Sequence, residues 1–252
     1  MIFLDVQGTL INDNDKNLIN GASELLKYLN YKNIPYVIIT NNTKDLNFLN
    51  TLRLKGLDIK EGAYLDPFSI LKTHLKPCKI AAFGASEFLT SLQILGFELD
   101  FINPKALLIA SYDNFSFKDF ALMIELIQKN IKIIAMHETS IYKKNNHSFP
   151  GVGAIMAMLS YATNCKYEVF GKPSLIFYEN ALKLLQIQDK NASFDKVLVI
   201  SDDFKGDLLK AKELNMKIAL VLSGKIKTIN GLDISKQDKV YNNIAEFLDT
   251  IK

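Results

Sequence analysis

One arginine, Arg53, stands in the whole chain, which excludes a guanidinium fork as the general means of clamping a phosphate. Lysine, a metal ion or backbone amides must hold any anion. Cysteine is almost as scarce. Cys78 and Cys165 share no close spacing and lie in apolar or mixed segments, which excludes a disulfide scaffold and fits reduced packing residues of a cytoplasmic protein. The three histidines, His74, His137 and His147, are scattered and lack the spacing of a zinc site or a catalytic pair. No run of like charge exists: 30 basic and 27 acidic residues are spread along the chain for a net charge of +3, so there is no stripe for nucleic acid or an anionic membrane. The most apolar stretch, Val152 to Leu159, is far shorter than the roughly 20 residues of a membrane helix. Met1 runs straight into a strand without the basic start and apolar run of a signal peptide. The expectation is a protein with no membrane and no nucleic-acid partner, resident in the cytoplasm.

What is present reads as an α/β fold. With 48% hydrophobic residues in 252, the chain can bury a substantial interior. Short apolar runs recur, each followed by a polar cluster and then a helical pattern, as buried parallel strands do. Four matter most: Ile2 to Leu4, Tyr36 to Ile39, Val197 to Ile200 and Ile218 to Leu222. After them come Asp5-Val6-Gln7-Gly8-Thr9, Thr40-Asn41-Asn42-Thr43, Ser201-Asp202-Asp203 and Ser223-Gly224. In open parallel sheets ligands bind beyond the carboxyl ends of the strands, so these clusters are expected to converge on one crevice. Gly21 to Tyr31 carries Ala22, Leu25, Leu26 and Leu29 on one face, and a second crossover helix is expected from Ser174 to Leu185, just after Pro173.

Between the halves lies a second alternating set: Lys79 to Phe83, a helix Ser86 to Leu95, Ala106 to Ala110, a helix Lys118 to Lys129, then Ile131 to Ala135. This is a small α/β unit of its own, inserted into the first. The expected division is residues 1–67 and 171–252 for the core domain and 68–170 for the insertion.

Asp5 alone reads equally well as a helix cap. Its company points to phosphoryl chemistry. Lys172 in Gly171-Lys172-Pro173-Ser174 stands near a helix start, where exposed amides and the dipole favour an anion. Asp202 and Asp207 flank a Gly-containing loop, and two or three carboxylates with backbone carbonyls are what Mg²⁺ requires. Thr40 and Asn41 offer neutral donors for phosphate oxygens. Asp203 reads as solvent-facing or as a helix-side anchor, and Asp13 and Asp15 as turn residues.

In this order and spacing the chain resembles the haloacid dehalogenase-like (HAD) superfamily over nearly its whole length, and most of all subfamily IIA, the NagD-like or nitrophenylphosphatase-like branch. Phe83-Gly84 through Leu95-Gly96-Phe97, Ser111-Tyr112-Asp113, Phe149-Pro150-Gly151-Val152-Gly153-Ala154 and Val221-Leu222-Ser223-Gly224 extend the match. The resemblance implies a Rossmann-like core with a parallel sheet and an inserted α/β cap domain that selects the substrate, a small phosphorylated metabolite. It implies that Asp5 takes the phosphoryl group, and that Asp5, the backbone carbonyl of Gln7 and Asp202 hold Mg²⁺ with Asp207 in support. Thr40 with Asn41 would bind phosphate oxygens, and Lys172 would offset charge on nucleophile and phosphate.

The sequence departs from the pattern in two places. Family phosphatases generally carry an aspartate two residues after the nucleophile, as general acid and base; here Gln7 stands there, an amide that hydrogen-bonds but exchanges no proton near neutral pH. Three readings follow: a weak phosphatase, a phospho-ligand-binding or partner-binding module that keeps the site, or other chemistry such as transfer to an acceptor that needs no proton removed from it. The second departure is the cap loop, which reads Met136-His137-Glu138-Thr139 and then Tyr142-Lys143-Lys144-Asn145-Asn146-His147 in place of a small-Asn-Pro-Asp segment. Lys143 and Lys144 form either a solvated turn or, with His147, a contact for an anionic substrate. Phe115, Phe117 and Phe120 read as cap core or as a cap-to-cap contact; exposed, they would favour a homodimer through the cap.

Overall fold

The computed structural model describes residues 1–144 and 147–252, with the side chains of Lys143 and Lys144 outside the description. The expected roles of these two lysines, and of Asn145 and Asn146 between them and His147, therefore fall outside the described residues. The chain divides into two compact units: Met1–Thr40, Asn47–Leu65 and Tyr178–Lys252 make the first, and Asn41–Leu46 with Asp66–Phe177 the second.

The first unit is built on a six-stranded sheet in the order Lys239–Tyr241, Lys217–Val221, Leu198–Ser201, Ile2–Asp5, Tyr36–Ile39, Tyr64–Leu65. Every pairing in it is parallel. Buried on both faces, the central strands carry unbroken apolar runs instead of alternation. Chain order reverses at Ile2–Asp5: from there the sheet grows one way through residues 36–39 and 64–65, the other way through 198–201, 217–221 and 239–241. Such a switch point leaves a crevice at the carboxyl ends of the two strands that flank it, here Ile2–Asp5 and Leu198–Ser201.

Helix Ala22–Tyr31 buries Ala22, Leu25, Leu26 and Leu29, the face read from its spacing. It joins one core with Ile2, Leu4, Tyr36, Ile38 and Ile200, and with Ile244, Phe247 and Leu248 of the terminal helix Ile244–Ile251. The Tyr28 hydroxyl donates to the carbonyl of Ile251, fastening the two helices together.

The second unit has its own five-stranded parallel sheet, in the order Glu168–Val169, Lys132–Ala135, Ala106–Ile109, Lys79–Phe83, Glu98–Leu99. Helices Ser86–Ile94, Phe117–Ile127 and Val152–Thr163 accompany it. Helix Phe117–Ile127 starts where it does because Ser116 and Asp119 form a reciprocal capping box. The apolar stretch from Val152 is a core helix, burying Val152, Ile155, Met156 and Leu159 at helical spacing. An antiparallel hairpin, Ile141–Lys144 with His147–Pro150, occupies the loop that departs from the family pattern. Phe115 and Phe120 pack against the core of this unit, whereas Phe117 stands 91% exposed. Among the described residues no helix is long and apolar enough to cross a membrane.

Candidate active site

Asp5 ends the central strand of the first unit, in register with Ile39, and is buried. The chain turns sharply after it: Leu10 and Ile11 donate backbone N–H groups to the carbonyl of Val6, and Gly8 donates to the carbonyl of Ile11. That turn puts Gly8 at φ +76°, a left-handed conformation that costs glycine nothing. It also returns Thr9 toward the strand end, where its hydroxyl donates to Asp5 Oδ2 at 3.2 Å. The Asp5 carboxylate is thereby oriented rather than free to swing. Gln7, on the same turn, is exposed.

Asp202 follows the neighbouring strand Leu198–Ser201 across the switch point. Its carboxylate sits in a cradle made by two glycines: a Cβ at Gly8 would stand 2.2 Å from Asp202 Oδ2, and one at Gly224 only 1.9 Å away. The N–H of Lys225 donates to the same oxygen at 2.5 Å. Burial pushes the Asp202 carboxyl well above the usual carboxylate range, and the nearby negative charge of Asp5 pushes it further. Asp207 is also buried, and accepts a 2.6 Å hydrogen bond from the Ser201 hydroxyl at Oδ2. Tyr178 donates to the backbone carbonyl of Asp207. Burial, then the negative charges of Asp207, Asp5 and Asp203, hold that phenol un-ionised far above its ordinary range.

Asp203 does anchor a helical segment, the second of its two expected roles. It accepts from Gly206 N–H at 2.8 Å, capping the single π-helical turn Phe204–Leu208, and pairs with Lys225 Nζ. Asp15 is the turn residue expected, accepting from the N–H of Asn17.

The donors near the switch point suit a hard divalent cation: two buried carboxylates on adjacent strand ends, Asp5 and Asp202, whose mutual repulsion a cation would relieve. No group of three or more His, Cys, Asp or Glu side chains fit to hold a metal is found among the described residues. A set of two carboxylates, the Gln7 carbonyl and water is compatible with that, because the Asp207 carboxylate is already engaged by Ser201. None of the histidines joins this group: His137 is buried in the second unit with Nε2 2.9 Å from Ser111 Oγ, and His74 lies against the Ile70 carbonyl.

Thr40 belongs to the first unit, buried beyond Ile39, with its N–H on the Leu65 carbonyl. Asn41 and Lys172 belong to the second unit. The Asn41 side chain holds Lys172 by its backbone. Its Oδ1 accepts from Lys172 N–H at 2.7 Å, and its Nδ2 reaches the Lys172 carbonyl at 3.2 Å and Thr139 Oγ1 at 3.3 Å. An amide so engaged positions the lysine; the phosphate contact foreseen for Asn41 would fall to its main chain. Lys172 itself is 3% exposed.

Thr9, Ser201 and Lys225 were not singled out from the sequence. Thr9 and Ser201 stand inside the two polar clusters, and the hydroxyl after each strand was the available signal. Lys225 carried none, because its importance comes from a loop that folds back onto Asp202.

An α/β unit with two buried carboxylates across the switch point of its parallel sheet has donors for a divalent cation at the place where such sheets bind ligands. The profile described as haloacid dehalogenase-like hydrolase matches residues 2–98, and that described as HAD-hydrolase-like matches residues 169–247. The chain belongs to the haloacid dehalogenase-like hydrolases. Among its relatives, the phospholysine phosphohistidine inorganic pyrophosphate phosphatase of Bos taurus is 27% identical over 99% of this chain and 93% of its own length. The dihydroxyacetone phosphatase of Corynebacterium glutamicum (strain R) is 25% identical over 87% and 80%. The p-nitrophenyl phosphatase from Archaeoglobus fulgidus shares the fold with a TM-score of 0.82 at 21% identity, covering 99% of this chain and 98% of that one. NagD from E. coli K-12 does so at 0.76 and 21%, covering 97% and 96%. The fold is thus that of the NagD and nitrophenylphosphatase branch, a Rossmann-like core with a cap domain.

Proposed function

We propose that this chain is a magnesium-dependent phosphoric monoester hydrolase that works through an aspartyl-phosphate on Asp5, and that it is slow because Gln7 replaces the acid/base aspartate. The observation that carries the reading is Asp5 at the carboxyl end of the central strand, its carboxylate oriented by Thr9 and its charge felt by Asp202. Relatives named as phosphatases over nearly the full length support it.

In this reading the Asp5 carboxylate attacks phosphorus and displaces the alcohol, and water then cleaves the acyl-phosphate. Thr40, through its hydroxyl, and Asn41, through its backbone N–H, bind phosphate oxygens, while Lys172 offsets charge on nucleophile and phosphate. Asp5, the Gln7 carbonyl and Asp202 would hold Mg²⁺, with Asp207 locked by Ser201 in support; the bound ion supplies charge neutralisation at the phosphoryl oxygens. The leaving alkoxide must take a proton and the attacking water must lose one. Gln7 can do neither, and the loss of such a group typically costs about 10²- to 10⁴-fold in rate. The second unit serves as the cap, and the substrate is a small phosphorylated metabolite. Esters whose leaving group needs no proton, such as aryl phosphates, suffer least.

The test is phosphate release with Mg²⁺ by the wild type, Asp5→Asn and Gln7→Asp. Wild-type turnover lost in Asp5→Asn and raised in Gln7→Asp supports the hydrolase. No turnover until Gln7→Asp, with ligand binding retained in the wild type, supports the phospho-ligand-binding module instead.

A further inference from the structure

The carboxyl ends of the first sheet gather four acids, Asp5, Asp202, Asp203 and Asp207, and the proposed catalysis gives work to three of them. A cation that the structure pairs with this group comes from the loop after strand Lys217–Val221. That loop makes four attachments. The Ser223 hydroxyl donates to the carbonyl of Gly8 at 2.6 Å, and Gly224 lies against the Asp202 carboxylate with no room for a Cβ. The Lys225 N–H donates to Asp202 Oδ2, and Lys225 Nζ pairs with Asp203 Oδ2 at 2.5 Å. Asp203 in turn caps the π-helical turn that carries Asp207. One lysine therefore touches the metal carboxylate through its backbone and the support of its neighbour through its side chain.

We propose that Lys225 is a resident counter-cation of this carboxylate cluster, a positioning residue that keeps Asp202 and the Asp203–Asp207 turn assembled while no divalent ion is bound. The inference rests on the metal-site reading above and adds a residue to it. Asp5, Asp202 and Asp207 are buried, where repulsion between carboxylates is strong, and Lys225 meets them from the partly exposed edge at Asp203. Lys225 relieves part of it permanently; the divalent ion relieves more when it arrives. Two cations serving the same acids oppose each other. Removing the lysine charge must then destabilise the metal-free protein more than the loaded one, and by reciprocity tighten divalent binding. A lysine that merely aligned Asp202 would have the opposite effect, since its loss would loosen the ligand and weaken binding.

The experiment compares wild type, Lys225→Met and Lys225→Arg, each melted in EDTA and in saturating Mg²⁺, with Mn²⁺ affinity measured by the paramagnetic signal of the free ion. Lys225→Met keeps the backbone N–H on Asp202 and loses the ammonium with its hydrogen bond to Asp203. The expected result is a midpoint lowered by about 4–8 °C in EDTA and by under about 2 °C in Mg²⁺. Mn²⁺ should bind roughly five- to tenfold more tightly, and Lys225→Arg should restore all three values. Equal losses in EDTA and Mg²⁺, or weaker Mn²⁺ binding by Lys225→Met, would overturn the inference while leaving the metal reading in place. A wild type that neither binds Mn²⁺ nor responds to Mg²⁺ would remove the metal reading, and the inference with it.

Discussion

Gly224→Ala should damage this protein out of proportion to one methyl group. The added Cβ would lie 1.9 Å from Asp202 Oδ2, 2.4 Å from its Cγ and 2.6 Å from the Cα of Gly8. Neither neighbour yields easily. Asp202 is 2% exposed and held by Lys225 N–H, and Gly8 is backbone in a turn closed by four hydrogen bonds. Gly224 has no left-handed φ, so the whole cost is steric: the first unit must spread at the switch point, an overpacking loss of about 3 kcal/mol. Gly62→Ala is the control. It lies in the same unit at φ +72° with nothing within 4 Å, so it carries only the conformational cost, about 1 kcal/mol after the entropy gained in the unfolded chain. For a chain of this size the midpoints should fall by about 6–12 °C and about 2–4 °C respectively. Thermal melts followed by circular dichroism read both, and divalent binding should be lost in Gly224→Ala alone. If Gly224→Ala melts no lower than Gly62→Ala and binds Mn²⁺ normally, Asp202 does not sit between the two glycines and the site geometry is wrong.

Other consequences are as direct. Ser201→Ala removes hydrogen bonds to a buried Asp207 oxygen and to the N–H of Asp203, and should cost about 2 kcal/mol in urea unfolding, with Ser201→Thr recovering most of it. Asn41→Ala releases the Lys172 backbone; phosphate release should fall about tenfold with Mn²⁺ affinity unchanged, and unaltered turnover would show that Lys172 needs no such hold. Gln7→Asp should speed release from alkyl phosphates by about 10²-fold or more and from aryl phosphates much less. Asp238 gives a pH prediction. Burial acts to raise its carboxyl, but Lys212 and the N–H of Ser235 outweigh that and hold it below the ordinary value. A depressed folded-state value stabilises above the unfolded one, and that stability disappears as pH falls through the folded one. The gap between wild type and Asp238→Asn should therefore be open at neutral pH and closed in acid, as melts across pH would show.

Much of this was legible in the sequence because the central strands are buried on both faces. Tyr36–Ile39 and Lys79–Phe83 have the bounds their apolar runs mark, and the strand near Val197 is displaced by one residue only because Ser201 still pairs with Leu220. Edge strands such as Tyr64–Leu65, Glu98–Leu99 and Glu168–Val169 span two residues each, too short to show any period. The hairpin Ile141–Lys144 with His147–Pro150 was hidden for a different reason: Ile141, His147, Ser148 and Pro150 are exposed, and a cross-strand pair, Tyr142 on Phe149, helps shape it. At the site, the acids after each strand were readable because strand ends converge by rule. Their partners were not. That Asn41 holds Lys172, 131 residues away, or that Lys225 folds back 23 residues onto Asp202, depends on loop paths no local pattern encodes.

The central claim is that Asp5 accepts a phosphoryl group. Acid-quenched mixtures of the protein, Mg²⁺ and a reactive phosphate donor such as acetyl phosphate, digested and read by mass spectrometry, test it most directly. With Gln7 unable to assist hydrolysis, a phosphoryl adduct should accumulate on the peptide holding Asp5, disappear in EDTA and in Asp5→Asn, and become short-lived in Gln7→Asp. An adduct that persists in Asp5→Asn, or none on that peptide while phosphate is still released, would contradict the account.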